Sequence, residues 1–152
     1  MMNRNSNSKF APLLAAMAMA ASVAAWAQSD AMAPLPAEKH HGSVSYLSGG
    51  VPDEQLPAIK QARGGYPLVI ELYQKAGAKS EYTSGAQVRL TDKAGNVLID
   101  DVSDGPFMLV RLPPGSYRVQ ATLNGKMVEA KSVAVAAKGS KRAVIVFPQG
   151  TD

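Results

Sequence analysis

The chain has 152 residues, no cysteine, and 16 Lys plus Arg against 12 Asp plus Glu. Without cysteine it is not a disulfide scaffold, and a weak basic excess with no Lys/Arg cluster argues against a dedicated nucleic-acid surface. The length suits one domain with its own apolar core.

Residues 1–27 have the layout of an export signal. Arg4 and Lys9 precede an Ala/Met/Leu run, and the small residues Ala25 and Ala27 place cleavage before Gln28. The apolar run is too short and too alanine-rich for a bilayer span, which takes about 20 strongly apolar residues. The reading is a periplasmic or secreted protein with no membrane span after cleavage. Removing 27 of 152 residues leaves 125, and loss of Arg4 and Lys9 brings 16 basic residues to 14 against 12 acidic.

Residues 28–42 are rich in Ala, Pro and charge without periodicity, and read as a flexible lead-in. His40 and His41, the two histidines, invite a metal reading. Adjacent residues on an extended chain point to opposite sides, and no third Cys or His ligand exists, so solvated residues are the expectation. Residues 43–65 read as an N-terminal extension with one short helix, started near Pro52, stopped near Arg63 and carrying Leu56 and Ile59 at helical spacing. Such a helix would cover a sheet edge or an open end of the core. The glycine pairs flanking it match no phosphate-binding loop.

Residues 66–148 read as strands and turns. In "YPLVIELYQ", Leu68, Ile70 and Leu72 take one face and Val69, Glu71 and Tyr73 the other; "AQVRLT" repeats the alternation. "DKAGN" and "NGK" are hairpin turns. "GPFMLVRL", "SYRVQATL", "MVEAKSVAV" and "RAVIVF" follow as further strands, with Pro106 suggesting that its strand begins at a sheet edge. In "LPPGSYRV", Pro113 and Pro114 fix φ and Gly115 frees it, so the chain turns before Tyr117 and Val119. Short strands at roughly ten-residue spacing argue for an all-β antiparallel sandwich.

From Gly85 to Phe147 the chain resembles the carboxypeptidase regulatory-like domain, a seven-stranded Greek-key sandwich of the transthyretin-like (prealbumin-like) kind. The resemblance rests on Gly105, Phe107, Leu109, Leu112, Pro113, Pro114, Gly115, Tyr117 and Val119, in the family's spacing. It implies that Phe107 and Leu109 face the core and that the Pro-Pro-Gly turn aims Tyr117 and Val119 inward. It also implies an accessory folding, spacing or interaction module without catalysis. Transthyretin-like hydroxyisourate hydrolases use histidines, an arginine and a C-terminal Tyr-Arg-Gly-Ser tail; this chain ends "VFPQGTD" and has only lead-in histidines. No nucleophile and base pair maps either, so an enzyme is not expected, and no motif asks for a cofactor.

Asp100, Asp101 and Asp104 beside Ser103 suggest calcium, but they lack the EF-hand spacing and read as a polar interstrand loop. Of Tyr66, Tyr73 and Tyr82, the last two form a candidate ligand surface, because sugar-binding faces need aromatic platforms. The leading expectation is a non-catalytic module binding an unidentified envelope protein; a carbohydrate-binding module is the alternative.

Overall fold

The computed structural model describes residues 32–151, so the export signal and the start of the lead-in lie outside the described residues. Ten strands are present among them: β1 Lys39–His41, β2 Val44–Gly49, β3 Leu68–Ala76, β4 Lys79–Tyr82, β5 Gln87–Asp92, β6 Val97–Val102, β7 Phe107–Arg111, β8 Gly115–Leu123, β9 Lys126–Val135 and β10 Lys141–Phe147. One helix, α1, spans Leu56–Ala62 between 3-10 turns at Asp53–Gln55 and Arg63–Gly65. The first sheet runs β1-β2-β7-β3-β10 with β4 paired to β3, and the second runs β6-β5-β8-β9. The chain is thus a two-sheet β-sandwich. Its strand count exceeds the seven expected, and it is not wholly antiparallel, since β10 runs parallel to β3 with Lys141 opposite Leu68 and Phe147 opposite Gln74.

Period-2 alternation builds the main core. Leu68, Ile70 and Leu72 of β3, Met108 and Val110 of β7, and Ile145 and Phe147 of β10 meet Val88, Leu90, Ile99, Val119 and Ala121 of the second sheet. A second core lies on the other side of the first sheet, where Ile59 of α1 packs with Leu47, Tyr66, Val69, Phe107 and Leu109. Strands β2, β3 and β7 are therefore buried on both faces, which is why "LVI" and "FMLV" are unbroken apolar runs. Pro57 sits in the first turn of α1, where a missing backbone N–H costs nothing.

This second core corrects several expectations. Phe107 and Leu109 face the helix, while Met108 and Val110 face the other sheet. The helix covers a sheet face, not an edge or an open end. Within residues 43–65, β2 joins the first sheet, pairing with β7 from Ser45 opposite Arg111 to Gly49 opposite Phe107. The lead-in is ordered at its end, since Lys39–His41 pairs with β2. Nor is β7 an edge: it lies between β2 and β3. Pro106 is tolerated because it precedes the strand, and its carbonyl accepts a bond from the Leu72 N–H at 2.8 Å.

Gly105 has a steric role. A Cβ there would lie 2.2 Å from the Gly49 carbonyl oxygen, so only glycine allows the two chain segments to approach.

The "LPPGSYRV" turn carries the chain from β7 in the first sheet to β8 in the second. Leu112, Tyr117 and Val119 all enter the main core, and the Tyr117 hydroxyl donates to the Pro113 carbonyl at 2.6 Å, pinning the turn. The "DKAGN" hairpin closes through Asp92, which accepts the Asn96 N–H at 2.9 Å. In the "NGK" hairpin, Asn124 and Gly125 take φ of 45° and 79°.

Candidate functional site

The outer face of the first sheet collects the polar chemistry. Val69, Glu71 and Tyr73 alternate onto that face; Val69 is covered by α1, and Glu71 lies one pleat beyond it. Glu71 is 1% exposed although it is a carboxylate. Burial of such a group needs compensation. The parallel neighbour β10 brings Arg142, whose Nη2 donates to Glu71 Oε2 at 2.5 Å, and the Tyr73 hydroxyl donates to the same oxygen at 2.9 Å. Arg63, from the turn after α1, places Nη1 3.7 Å from Oε1. That oxygen has no hydrogen-bond partner among the described residues. An open depression of about 400 Å³ lies over the group, lined by Arg63, Gly64, Val69, Glu71, Ser140 and Arg142.

Burial pushes the Glu71 carboxyl up. The bonds from Arg142 and Tyr73 and the charges of Arg142 and Arg63 outweigh it and hold the group below the ordinary carboxylate value. Arg142 is driven up by its bond to Glu71 and then by Tyr73. Burial, followed by the bond to Glu71, raises the Tyr73 hydroxyl. The arrangement holds charge and directs hydrogen bonds.

Tyr73 and Tyr82, paired across β3 and β4, stack with ring centroids 4.9 Å apart and planes at 28°. Tyr82 is 41% exposed, yet it also meets Phe107 at 5.2 Å and has Lys60 Nζ over its ring at 5.8 Å. Tyr66 belongs to the second core, with its hydroxyl donating to Glu38 at 2.6 Å and Arg111 lying 4.1 Å over its ring.

The aspartates expected in one polar loop are divided. Asp100 and Asp101 are within β6 and alternate to opposite sides. Asp100 accepts from Gln87 at 2.6 Å and from Arg89 at 2.8 Å. Asp101 accepts from Lys39 at 2.8 Å and from the Tyr46 hydroxyl at 2.9 Å, and Asp104 takes the same lysine at 3.1 Å. Lys39 thereby ties β1 of one sheet to β6 of the other. Ser103 is buried and its Oγ accepts the Ala86 N–H at 3.2 Å. His40 and His41 lie exposed on β1, and no group of three or more His, Asp or Glu placed to hold a metal occurs among the described residues.

Among the residues that line the depression, Arg63, Glu71 and Arg142 were not singled out by sequence reasoning. One signal was available, a glutamate inside the apolar run "LVIEL". Its cationic partners are contributed from a helix end and from a strand 71 residues away.

Among the described residues, no helix is long and apolar enough to cross a membrane. The chain matches no family model, no curated protein and no solved structure.

Proposed function

We propose that this protein is an exported, non-catalytic binding module of the cell envelope, periplasmic or secreted, whose sandwich is a variant of the transthyretin-like kind seen in carboxypeptidase regulatory-like domains. Its task is to hold a partner protein. One observation carries the reading: the two half-exposed guanidinium groups of Arg63 and Arg142 rim an open depression whose floor is the buried Glu71 carboxylate. The second arginine and the open space above favour recognition of a ligand. The resemblance of "LPPGSYRV" and its flanks supports the fold assignment and the accessory role.

The alternative, a carbohydrate-binding module, draws on Tyr82, which is 41% exposed. It is the weaker reading, because sugars need an open aromatic face and this ring is flanked by Tyr73, Phe107 and Lys60. The test is affinity capture on the immobilised protein, using envelope extract divided into protein and polysaccharide fractions. Saturable retention of a single protein is the expected result. Retention of polysaccharide alone would favour the alternative, and retention of neither would overturn the module reading. Turnover abolished by His40→Ala or His41→Ala would contradict the non-catalytic assignment.

A further inference from the structure

Resting on the binding-module reading, we propose that the open edge of β10 accepts an extended, acidic segment of the partner protein as an added strand. The ladder is the first argument. β10 ends the first sheet, with β3 on one side and no strand paired on the other among the described residues. The Lys141 N–H donates to the Pro67 carbonyl at 2.8 Å, and the register from Lys141 opposite Leu68 to Phe147 opposite Gln74 is unbroken. Alternate residues of a strand bond to opposite neighbours, so Lys141, Ala143, Ile145 and Phe147 serve β3. Arg142, Val144 and Val146 therefore turn their backbone N–H and C=O groups to the open side.

The second argument is that this edge is unguarded. Sheet edges are ordinarily blunted by brevity, charge, proline or a bulge. β1 has three residues and β4 four, all exposed. β6 carries Asp100 and Asp101, and its pairing with β5 shifts register. β9 spreads Lys126, Glu129 and Lys131 along its length, and its register against β8 breaks near Ser132, at φ 55°. Among the described residues β10 alone offers a run, "AVIVF" at 143–147, with no charge, proline or break, and Val144 is 42% exposed. Such an edge is a template for another strand.

Charge decides which strand fits. Lys138 and Lys141 are exposed at the start of β10 and pair with no carboxylate among the described residues. β10 has no carboxylate of its own, so a second copy joined through the same edge would leave these lysines unmatched. A partner strand with β-branched residues opposite Val144 and carboxylates beside Lys138 and Lys141 satisfies both features. In the antiparallel arrangement, the more stable pairing, those carboxylates follow the apolar run. Arg142 belongs both to β10 and to the rim of the depression over Glu71, so the edge adjoins that depression. In strand addition, main-chain bonds give affinity and alternate side chains give specificity.

The experiment is fluorescence anisotropy with the purified protein and the peptide Val-Thr-Val-Thr-Val-Asp-Asp, labelled with fluorescein at its N-terminus and amidated at its C-terminus. One control peptide is N-methylated throughout its Val-Thr run, and another ends in Lys-Lys in place of Asp-Asp. The expected result is saturable binding of the first peptide, with both controls weaker by about tenfold or more. Val144→Pro removes an outward N–H and spares the bonds to β3, as proline does at an edge, and should abolish binding. Lys138→Glu combined with Lys141→Glu, at exposed side chains, should reverse the preference between the acidic and lysine peptides while leaving the urea unfolding midpoint unchanged. That pair of changes, with the N-methylated control, decides the matter if the proline variant does not fold. Equal binding of the N-methylated peptide, equal binding of the acidic and lysine peptides, no binding of any, or binding unchanged in a folded Val144→Pro would overturn the proposal. A dimer seen by sedimentation, dissolved by Val144→Pro and not by the peptide, would overturn it in favour of a second copy. The two levels of the account separate cleanly. A partner captured from extract and retained equally by Val144→Pro sinks the strand-addition site and leaves the module reading standing, whereas capture of nothing sinks the module reading itself.

Discussion

Ile59→Ala tests whether α1 belongs to the fold or merely rests on it. Ile59 is 0% exposed and packs on Leu47, Tyr66, Val69, Phe107 and Leu109. The substitution removes three carbon atoms, worth about 2.4 kcal/mol at roughly 0.8 kcal/mol each in transfer terms. A residual cavity adds to that, because strands β3 and β7 are clamped by their ladders and cannot collapse into the gap. The expected loss is about 3 to 4 kcal/mol, inside the usual range for such truncations. A helix of seven residues has little stability of its own, so its order comes from this packing. Urea denaturation is the assay. With a slope of about 1.5 kcal/mol per molar, the midpoint should fall by about 2 M at unchanged slope. A fall below about 0.5 M would mean that the second core contributes little and that α1 is a loosely docked appendage.

Three further outcomes are expected. Gly105→Ala sets a Cβ 2.2 Å from the Gly49 carbonyl oxygen, and since the atoms it meets are all Gly49 backbone the two chain segments must part, at about 3 kcal/mol by the same denaturation assay. Tyr117→Phe removes the 2.6 Å bond to the Pro113 carbonyl while keeping the ring in the core, and should cost about 1 kcal/mol, measured as a shift of midpoint. Acid should weaken the fold in a definite direction. The carboxyls of Glu71 and Asp101 are held below their ordinary values of 4.5 and 3.8, so their contribution is complete above those values and is lost as pH falls through the lower folded ones. Unfolding free energy measured in urea at a series of pH values should be nearly flat down to about pH 5 and decline below it. A rise on acidification would contradict the ion-pair assignments.

Much of the sandwich was legible locally. The alternation of Leu68, Ile70 and Leu72 and the turn residues Asp92, Asn124 and Gly125 each specify their conformation within a few positions, and the structure follows them. What stayed hidden depends on distant pairing. Nothing near Phe107 and Leu109 indicates that a helix some 48 residues earlier covers them, so the strand's two buried faces could not be assigned. The parallel pairing of β10 with β3 leaves no local mark, and with it the approach of Arg142 to Glu71 was invisible. Lys39 reads as one more charge in a polar lead-in until Asp101, 62 residues away, is beside it. Tyr73 and Tyr82 were identified as a pair of interest, but the rings that flank Tyr82 become evident only in the fold.

On the proposed binding role, the charged cluster over the first sheet adds no more stability than apolar and neutral side chains in its place would. The variant combining Arg63→Gln, Glu71→Leu and Arg142→Leu replaces it with apolar and neutral groups. Of the three only Glu71 is buried, and exchanging a buried charge together with its partners for apolar or neutral side chains is commonly neutral or stabilising, while functional sites commonly give up stability for their task. Urea unfolding and partner retention, measured together on this variant and the parent, decide the matter. The account predicts an equal or higher unfolding midpoint with retention abolished. A variant that loses several kcal/mol of stability and still retains the partner would contradict it.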